Sequence, residues 1–235
     1  MKYKTLTLIG TSHIAAQSVK EIQTSVQKHT PDIIAIELDK RRFKAITSKK
    51  KQKLSIAAIT EIGFKGYLFA QLGKYVQQKL GSKVGLHPGS DMLEGIIQAK
   101  KHKLKLALID QDITITLKRF SKAFNYKEKW HLVEDFFKAL FRGKKQLQKL
   151  GITNFDLTKV PSKKIINKLL NQVKLRYPRT YKVLVEDRNH FMAKNLIKLM
   201  NKHPKKKILA IVGAGHEDRI LELVKKIDQH KVEYI

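Results

Sequence analysis

Cysteine is absent from the 235 residues. A disulfide framework, a thiol nucleophile and a zinc–thiolate site are therefore excluded. Acidic residues are scarce too, with 20 Asp+Glu against 49 Lys+Arg, which leaves a formal net charge of +29. No long apolar run exists either. The longest stretch without a charged residue, Thr5 to Val19, carries Thr, Gly, Ser, His and Gln and is too short and polar to span a bilayer. It also lacks the apolar run and small-residue cleavage site of a secretory signal. The expectation is a soluble, cytoplasmic protein with no transmembrane segment.

What is present bounds the class further. Hydrophobic residues make up 42% of the chain, enough for a sizeable core and too many for global disorder. The length suits one large domain, or one domain with an insertion. The basic excess invites a nucleic-acid reading, because clustered Lys and Arg neutralise phosphates. Its composition argues against that. Of the 49 basic residues 41 are Lys and 8 are Arg, and Arg is the bidentate reader of bases and phosphates. The Lys clusters at 49–53, 100–105 and 205–207 also have few aromatics between them for base stacking. Nucleic acid is thus the unlikely partner, and a Lys-biased surface open to acidic substrates or lipid headgroups is the plainer reading.

Strands alternate with helices along the chain. Thr5–Ile9 alternates and turns apolar before Gly10, and Ile14, Val19, Ile22 and Val26 then recur at helical spacing. Asp32–Leu38 is almost wholly apolar, as a strand buried on both faces is. This strand–helix–strand unit predicts a parallel pair with a right-handed crossover. Residues 39–81 read as helical, and a helix over Asp91–Lys101 follows with Ser90 as its N-cap. Leu104–Ile109 is a third strand. A mainly helical, basic insertion over about 112–203 includes a long helix from Thr180 to Asn201. Ile208–Val212 is the fourth strand, with a helix over Arg219–Ile227 and a final strand over Val232–Ile235 behind it. The class is α/β, with a mainly parallel central sheet, flanking helices and the insertion between strands three and four.

Two segments share one design: Leu8-Ile-Gly-Thr-Ser-His13 and Ile211-Val-Gly-Ala-Gly-His216 each run strand, Gly, two small residues, His, helix. Each His falls on the loop above the carboxyl edge of the sheet, where open α/β folds place ligands. If the two strands are neighbours, His13 and His216 face one crevice. Glu37, at the end of an apolar strand, emerges at the same edge and must be paired, hydrated or bound to a cation. Two His and one Glu suit a divalent metal with open positions for water. The competing reading pairs Glu37 with Arg41 or Arg42 and leaves the histidines as loop residues. Asp110, Asp112, Arg119, Glu186, Asp187 and Arg188 gather at other strand and helix ends, where buried ion pairs are as good an explanation as catalysis. The remaining seven histidines have no ligand spacing. A dinucleotide fingerprint over Gly213–Asp218 is ruled out, because Asp218 would take the place of the third Gly against pyrophosphate.

Six co-linear blocks resemble the TraB family, the TraB/PrgY/GumN group that includes pheromone-shutdown proteins and the Tiki metalloproteases. They are Gly10–His13, Pro31–Leu38 with Arg42-Phe43, Pro88–Met92, Leu108–Ile113 with Thr116–Arg119, Glu186–Ala193 and Val212–His216. The likeness runs over nearly the whole chain and implies one TraB-like domain over 1–235. It further implies that His13, Glu37 and His216 hold a divalent metal ion (Zn, Mn, Co or Fe), with Arg119, Glu186 and Arg188 as further site residues. In that reading the protein is a metal-dependent hydrolase of the metalloprotease kind. Arg119 or Arg188 would stabilise the oxyanion, and Glu186 would serve as general base. The alternative is a protein that binds a peptide or small signalling ligand without cleaving it. Oligomeric state, peripheral membrane contact and metal identity stay open. Two departures stand out: Asp110-Gln111-Asp112 replaces the Asp-Arg-Asp of the family pattern, and Glu-Asp-Arg follows His216.

Overall fold

A computed structural model describes residues 1–12, 16–48, 63, 67, 71, 89–123, 125–132, 134–135 and 162–232. His13, most of the expected helical stretch up to residue 81, and residues 233–235 of the expected final strand lie outside these. The described elements run β1 (Lys2–Tyr3), β2 (Leu6–Thr11), α1 (Ala16–His29), β3 (Ile33–Ile36), α2 (Lys40–Thr47), α3 (Ser90–Lys101) and β4 (Lys105–Leu108). They continue with α4 (Ile113–Ala123), α5 (126–132), α6 (Lys163–Arg176), α7 (Pro178–Tyr181) and a π-helical turn (Lys182–Glu186). The last are α8 (Asp187–Lys202), β5 (Ile208–Gly213) and α9 (Glu217–Val232). Among these residues no helix is long and apolar enough to cross a membrane.

The sheet order is β1-β2-β5-β3-β4, parallel except for the β1–β2 hairpin. Strand period sorts the apolar side chains into two layers. Leu6, Leu8, Ile33, Ala35, Ile208, Ala210 and Val212 pack beneath α8 and α9, while Ile9, Ile34, Ile36, Leu209 and Ile211 join Ile22 of α1 and Met92 of α3. Helices on both faces explain why β3 and β5 read as unbroken apolar runs.

Four expectations change. The β2–α1–β3 unit gives parallel strands that are not neighbours, because β5 pairs with both, Leu6↔Ile208 on one side and Ile33↔Ile208 on the other. Val232, expected to open a strand, ends α9. The N-cap of α3 is Gly89, at φ +83° in the left-handed region, and Ser90 is already helical. Such a backbone favours glycine, which is why a hydroxyl residue does not hold the cap position. The long helix before β5 is broken by the π-turn, marked by an Asp187 N–H to Lys182 carbonyl bond.

The helical insertion is tied together by its few acids. Arg176 reaches Asp135 at 2.7 Å and Glu134 at 2.5 Å, and the Tyr177 hydroxyl donates to Asp135 at 2.6 Å. Burial, then the Asp135 carboxylate, pushes the Tyr177 phenol up to about 12. A folded-state value above the unfolded one, roughly 10, means that this stabilisation is present below pH 10 and lost as pH rises through 12. Absorbance titration at 295 nm, differenced against Tyr177→Phe, should show this one phenol ionising late. A midpoint near that of a free tyrosine would contradict the contact.

Candidate functional site

Strand β3 ends at Ile36, and Glu37 follows in a bend whose N–H donates to the Ile211 carbonyl at 3.1 Å. That bond holds the Glu37 carboxylate beside the end of β5. One oxygen accepts the Gly213 N–H at 2.6 Å and the other accepts Arg188 Nη2. Glu37 thus pairs with Arg188, brought in by α8, and not with Arg41 or Arg42 as the competing sequence reading had it. Arg188 Nη2 also reaches Asp110 Oδ2 at 2.7 Å, and Arg42 meets that same oxygen of Asp110, past the end of β4. Asp39 caps α2 by accepting the Arg41 and Arg42 N–H groups, and it fixes the Arg42 guanidinium at 2.7 Å. Glu37, Asp39 and Asp110 are all buried. Burial pulls the Arg188 guanidinium down, but Glu37 and Asp110 more than offset it and hold its pKa above the ordinary value.

His216 closes the arrangement. It sits in the turn between β5 and α9, with its Nδ1 2.6 Å from the Asn189 amide oxygen. That carbonyl accepts the Nδ1–H hydrogen bond and fixes the ring so that Nε2 faces the centre. Nε2 lies 3.4 Å from Arg188 Nη1 and 3.6 Å from Glu37 Oε1. The Nδ2 of Asn189 is buried and has no hydrogen-bond partner among the described residues. One imidazole, one carboxylate and one permanent cation therefore converge at the carboxyl edge of the sheet.

The two glycine–histidine strands are neighbours, as a shared crevice requires: β2 pairs β5 with Gly10↔Val212 and Thr11↔Gly213. Gly10 is there for space. A Cβ at this position would stand 3.0 Å from the Ala214 Cα and 2.8 Å from Glu217 Oε2. The backbone obstacle cannot swing aside, so Gly10→Ala should cost about 1–3 kcal/mol by overpacking, read as a lower urea midpoint. An unchanged midpoint would show that the loop carrying His216 can move.

The other expected residues fall elsewhere. Arg119 is 54% exposed, with Nη1 3.8 Å from Asp187, and is not drawn to Glu37 or His216. Glu186, on the π-turn, faces Arg219 at 3.5 Å, three residues beyond His216. Asp112 meets Arg41 at 3.5 Å. Gln111, which departs from the family pattern, is buried and donates to Thr116 at 3.0 Å. Sequence reasoning gave no role to Asn189 or Asp91. Asp91 is fully buried in the first turn of α3 and accepts the Thr11 hydroxyl at 2.6 Å, just before His13 in the chain. The signal for both was their place inside the blocks that carry the family resemblance, Asn189 beside Arg188 and Asp91 in Pro88–Met92.

A mainly parallel α/β sheet with a polar centre at its carboxyl edge is the class of fold the chain adopts, and that edge is where open α/β folds place ligands. Residues 2–231 match the model of the TraB/PrgY/gumN family, and the chain belongs to that family. It is 34% identical over 223 residues to an uncharacterized protein of Methanocaldococcus jannaschii, covering 94% of this chain and 53% of that one. It is 20% identical over 233 residues to a human TraB domain-containing protein, covering 89% and 60% respectively. A mouse TraB domain-containing protein matches to the same extent. The chain thus spans between half and two thirds of the length of these relatives.

Proposed function

We propose that this chain is a metal-dependent hydrolase acting on a peptide, with Glu37, Arg188 and His216 at its centre. The observation that carries the reading is the convergence of His216 Nε2 and Glu37 Oε1 at 3.6 Å, beside Arg188. Two ligands with bonds of roughly 2.0–2.2 Å to one tetrahedral ion stand about 3.3–3.5 Å apart, so this spacing admits a shared cation, which would have to displace Arg188 Nη2 from Glu37 Oε1. The Asn189 contact is the kind of outer partner that fixes a ligating histidine. The described residues alone contain no three-donor metal cluster. The third donor that the family likeness implies, His13, comes two residues after Thr11, where β2 ends beside β5.

His13, Glu37 and His216 would hold the ion, which would supply a water of lowered pKa. Arg188 is the better placed of the two arginines to meet an oxyanion, because Arg119 stands at the exposed rim. Asp110 keeps the guanidinium aimed at Glu37 and His216. Glu186, paired with Arg219 next to His216, is the candidate general base.

The reading is tested by equilibrating purified protein with Zn, Mn, Co or Fe(II) and measuring bound metal by mass spectrometry. One ion per chain is expected, lost in His216→Ala and in His13→Ala, together with cleavage of members of a peptide library. Wild-type protein without stoichiometric metal or turnover would instead favour a non-catalytic peptide-binding protein.

A further inference from the structure

The helical insertion has a surface unlike the rest of the molecule. Over residues 113–135 and 162–182 there are 12 Lys and Arg but only 3 Asp and Glu. All three acids are engaged within the insertion. Glu128, buried, accepts the Arg179 N–H at 2.7 Å and the Thr180 hydroxyl at 2.7 Å, while Glu134 and Asp135 hold Arg176. Lys163, Lys182 and Arg119 meet acids outside these segments, and the outward charge that remains is cationic and mostly Lys. On this surface Tyr126 is 86% exposed, Trp130 72% and Leu175 84%. Tyr126 and Trp130 are one helical turn apart on α5. His131 Nδ1 lies 2.9 Å from the Arg176 carbonyl, so the segments carrying Trp130 and Leu175 are bound to one another. Lys129 Nζ stands 4.3 Å above the Tyr126 ring.

We propose that this face docks on an anionic phospholipid surface. Trp and Tyr are the side chains that favour the headgroup level, where one end of the ring is apolar and the other wet. Leu175 adds aliphatic area that lipid accepts, and Lys stems lie along such a surface with their ammonium groups on the headgroups. Basic residues near an anionic leaflet are attracted additively, in a salt-dependent way. A nucleic acid fits less well. Aliphatic side chains offer bases nothing to stack on, and the Arg176 fork is already taken by Glu134 and Asp135. The proposal does not depend on the hydrolase reading, since none of these residues belongs to that centre.

Trp130 is the sole tryptophan of the chain, so its fluorescence reports on this face alone. Phosphatidylcholine vesicles with and without about 30% phosphatidylserine are the probe, in roughly 0.15 M salt. The expected result is a blue shift of the Trp130 emission, together with co-sedimentation of the full chain, with the anionic vesicles only. Both should be reversed by raising the salt to about 1 M. Tyr126→Ser with Trp130→Ser, both exposed and so tolerated by the fold, should weaken co-sedimentation at least tenfold. The proposal is overturned by no vesicle binding at this salt, by binding with the emission unmoved, or by a double variant that binds as wild type. Saturable quenching of Trp130 by single-stranded RNA without vesicle binding would overturn it in favour of nucleic acid.

Discussion

Arg188→Met should destabilise the protein by about 3–5 kcal/mol, the usual cost of leaving a buried ion partner unpaired. The guanidinium is 16% exposed and faces Glu37 and Asp110, whose side chains are 3% and 0% exposed. Methionine matches the stem but returns neither carboxylate to water nor to a donor. Two buried carboxylates would then face one another's field without their shared cation, leaving Arg42 and the Gln111 N–H on Asp110, and the Gly213 N–H and His216 beside Glu37, among the contacts described for them. Urea denaturation of wild type and variant at pH 7 measures the loss. Arg188→Lys should recover part of it, because an ammonium restores the charge without the fork that spans two acids. Adding Asp110→Asn to Arg188→Met should also recover stability, giving a coupling of about 0.5–3 kcal/mol. A loss below 1 kcal/mol would mean that the pair behaves as a surface bridge and that solvent reaches it.

The second large effect concerns Glu37→Gln. The change is nearly isosteric, and the new amide oxygen can still accept the Gly213 N–H. Its NH2 group, however, would be aimed at the Arg188 donors, placing donor against donor in a buried position. A stability cost of about 1–3 kcal/mol is expected from that mismatch. If the centre holds a cation, metal content should also fall well below one ion per chain, and peptide turnover by roughly 10²–10⁴-fold. Measuring metal and melting together separates the two effects. Full metal occupancy in a folded Glu37→Gln protein would remove Glu37 from the ligand set.

The sheet edge was legible in the sequence because β2 and β5 each announce themselves twice, by an apolar run and by a glycine near its end, and β3 by its apolar run alone. Glu37 stood out as a lone carboxylate on such a run. What could not be read was the partner choice. Arg41 and Arg42 are close in sequence to Glu37, and Arg188 is not, yet Arg188 is the one that arrives. Local spacing favours the near arginines, whereas α2 carries Arg42 onto Asp39 and Asp110. The strand order was hidden for the same reason, since a strand–helix–strand unit normally places its strands side by side. The π-turn left no compositional mark: Lys182-Val-Leu-Val-Glu186 has the residues of any helix. Turns of this kind occur often at functional sites, and this one stands immediately before the helix that supplies Arg188 and Asn189.

The position of β5 has a consequence for the order of events during synthesis. This strand is encoded after residue 207, yet it lies between β2 and β3 and hydrogen-bonds to both. A ribosome-bound chain lacking it has β2 and β3 without their shared neighbour, Glu37 without the Gly213 N–H, and no His216 at all. The polar centre therefore cannot form piecemeal as the chain emerges. It assembles only when the last strand threads home, through contacts of long sequence separation that are slow to close. Until then the exposed strand edges are sticky, and a chain stalled before residue 208 would be a client for chaperones and proteases rather than a partly working protein.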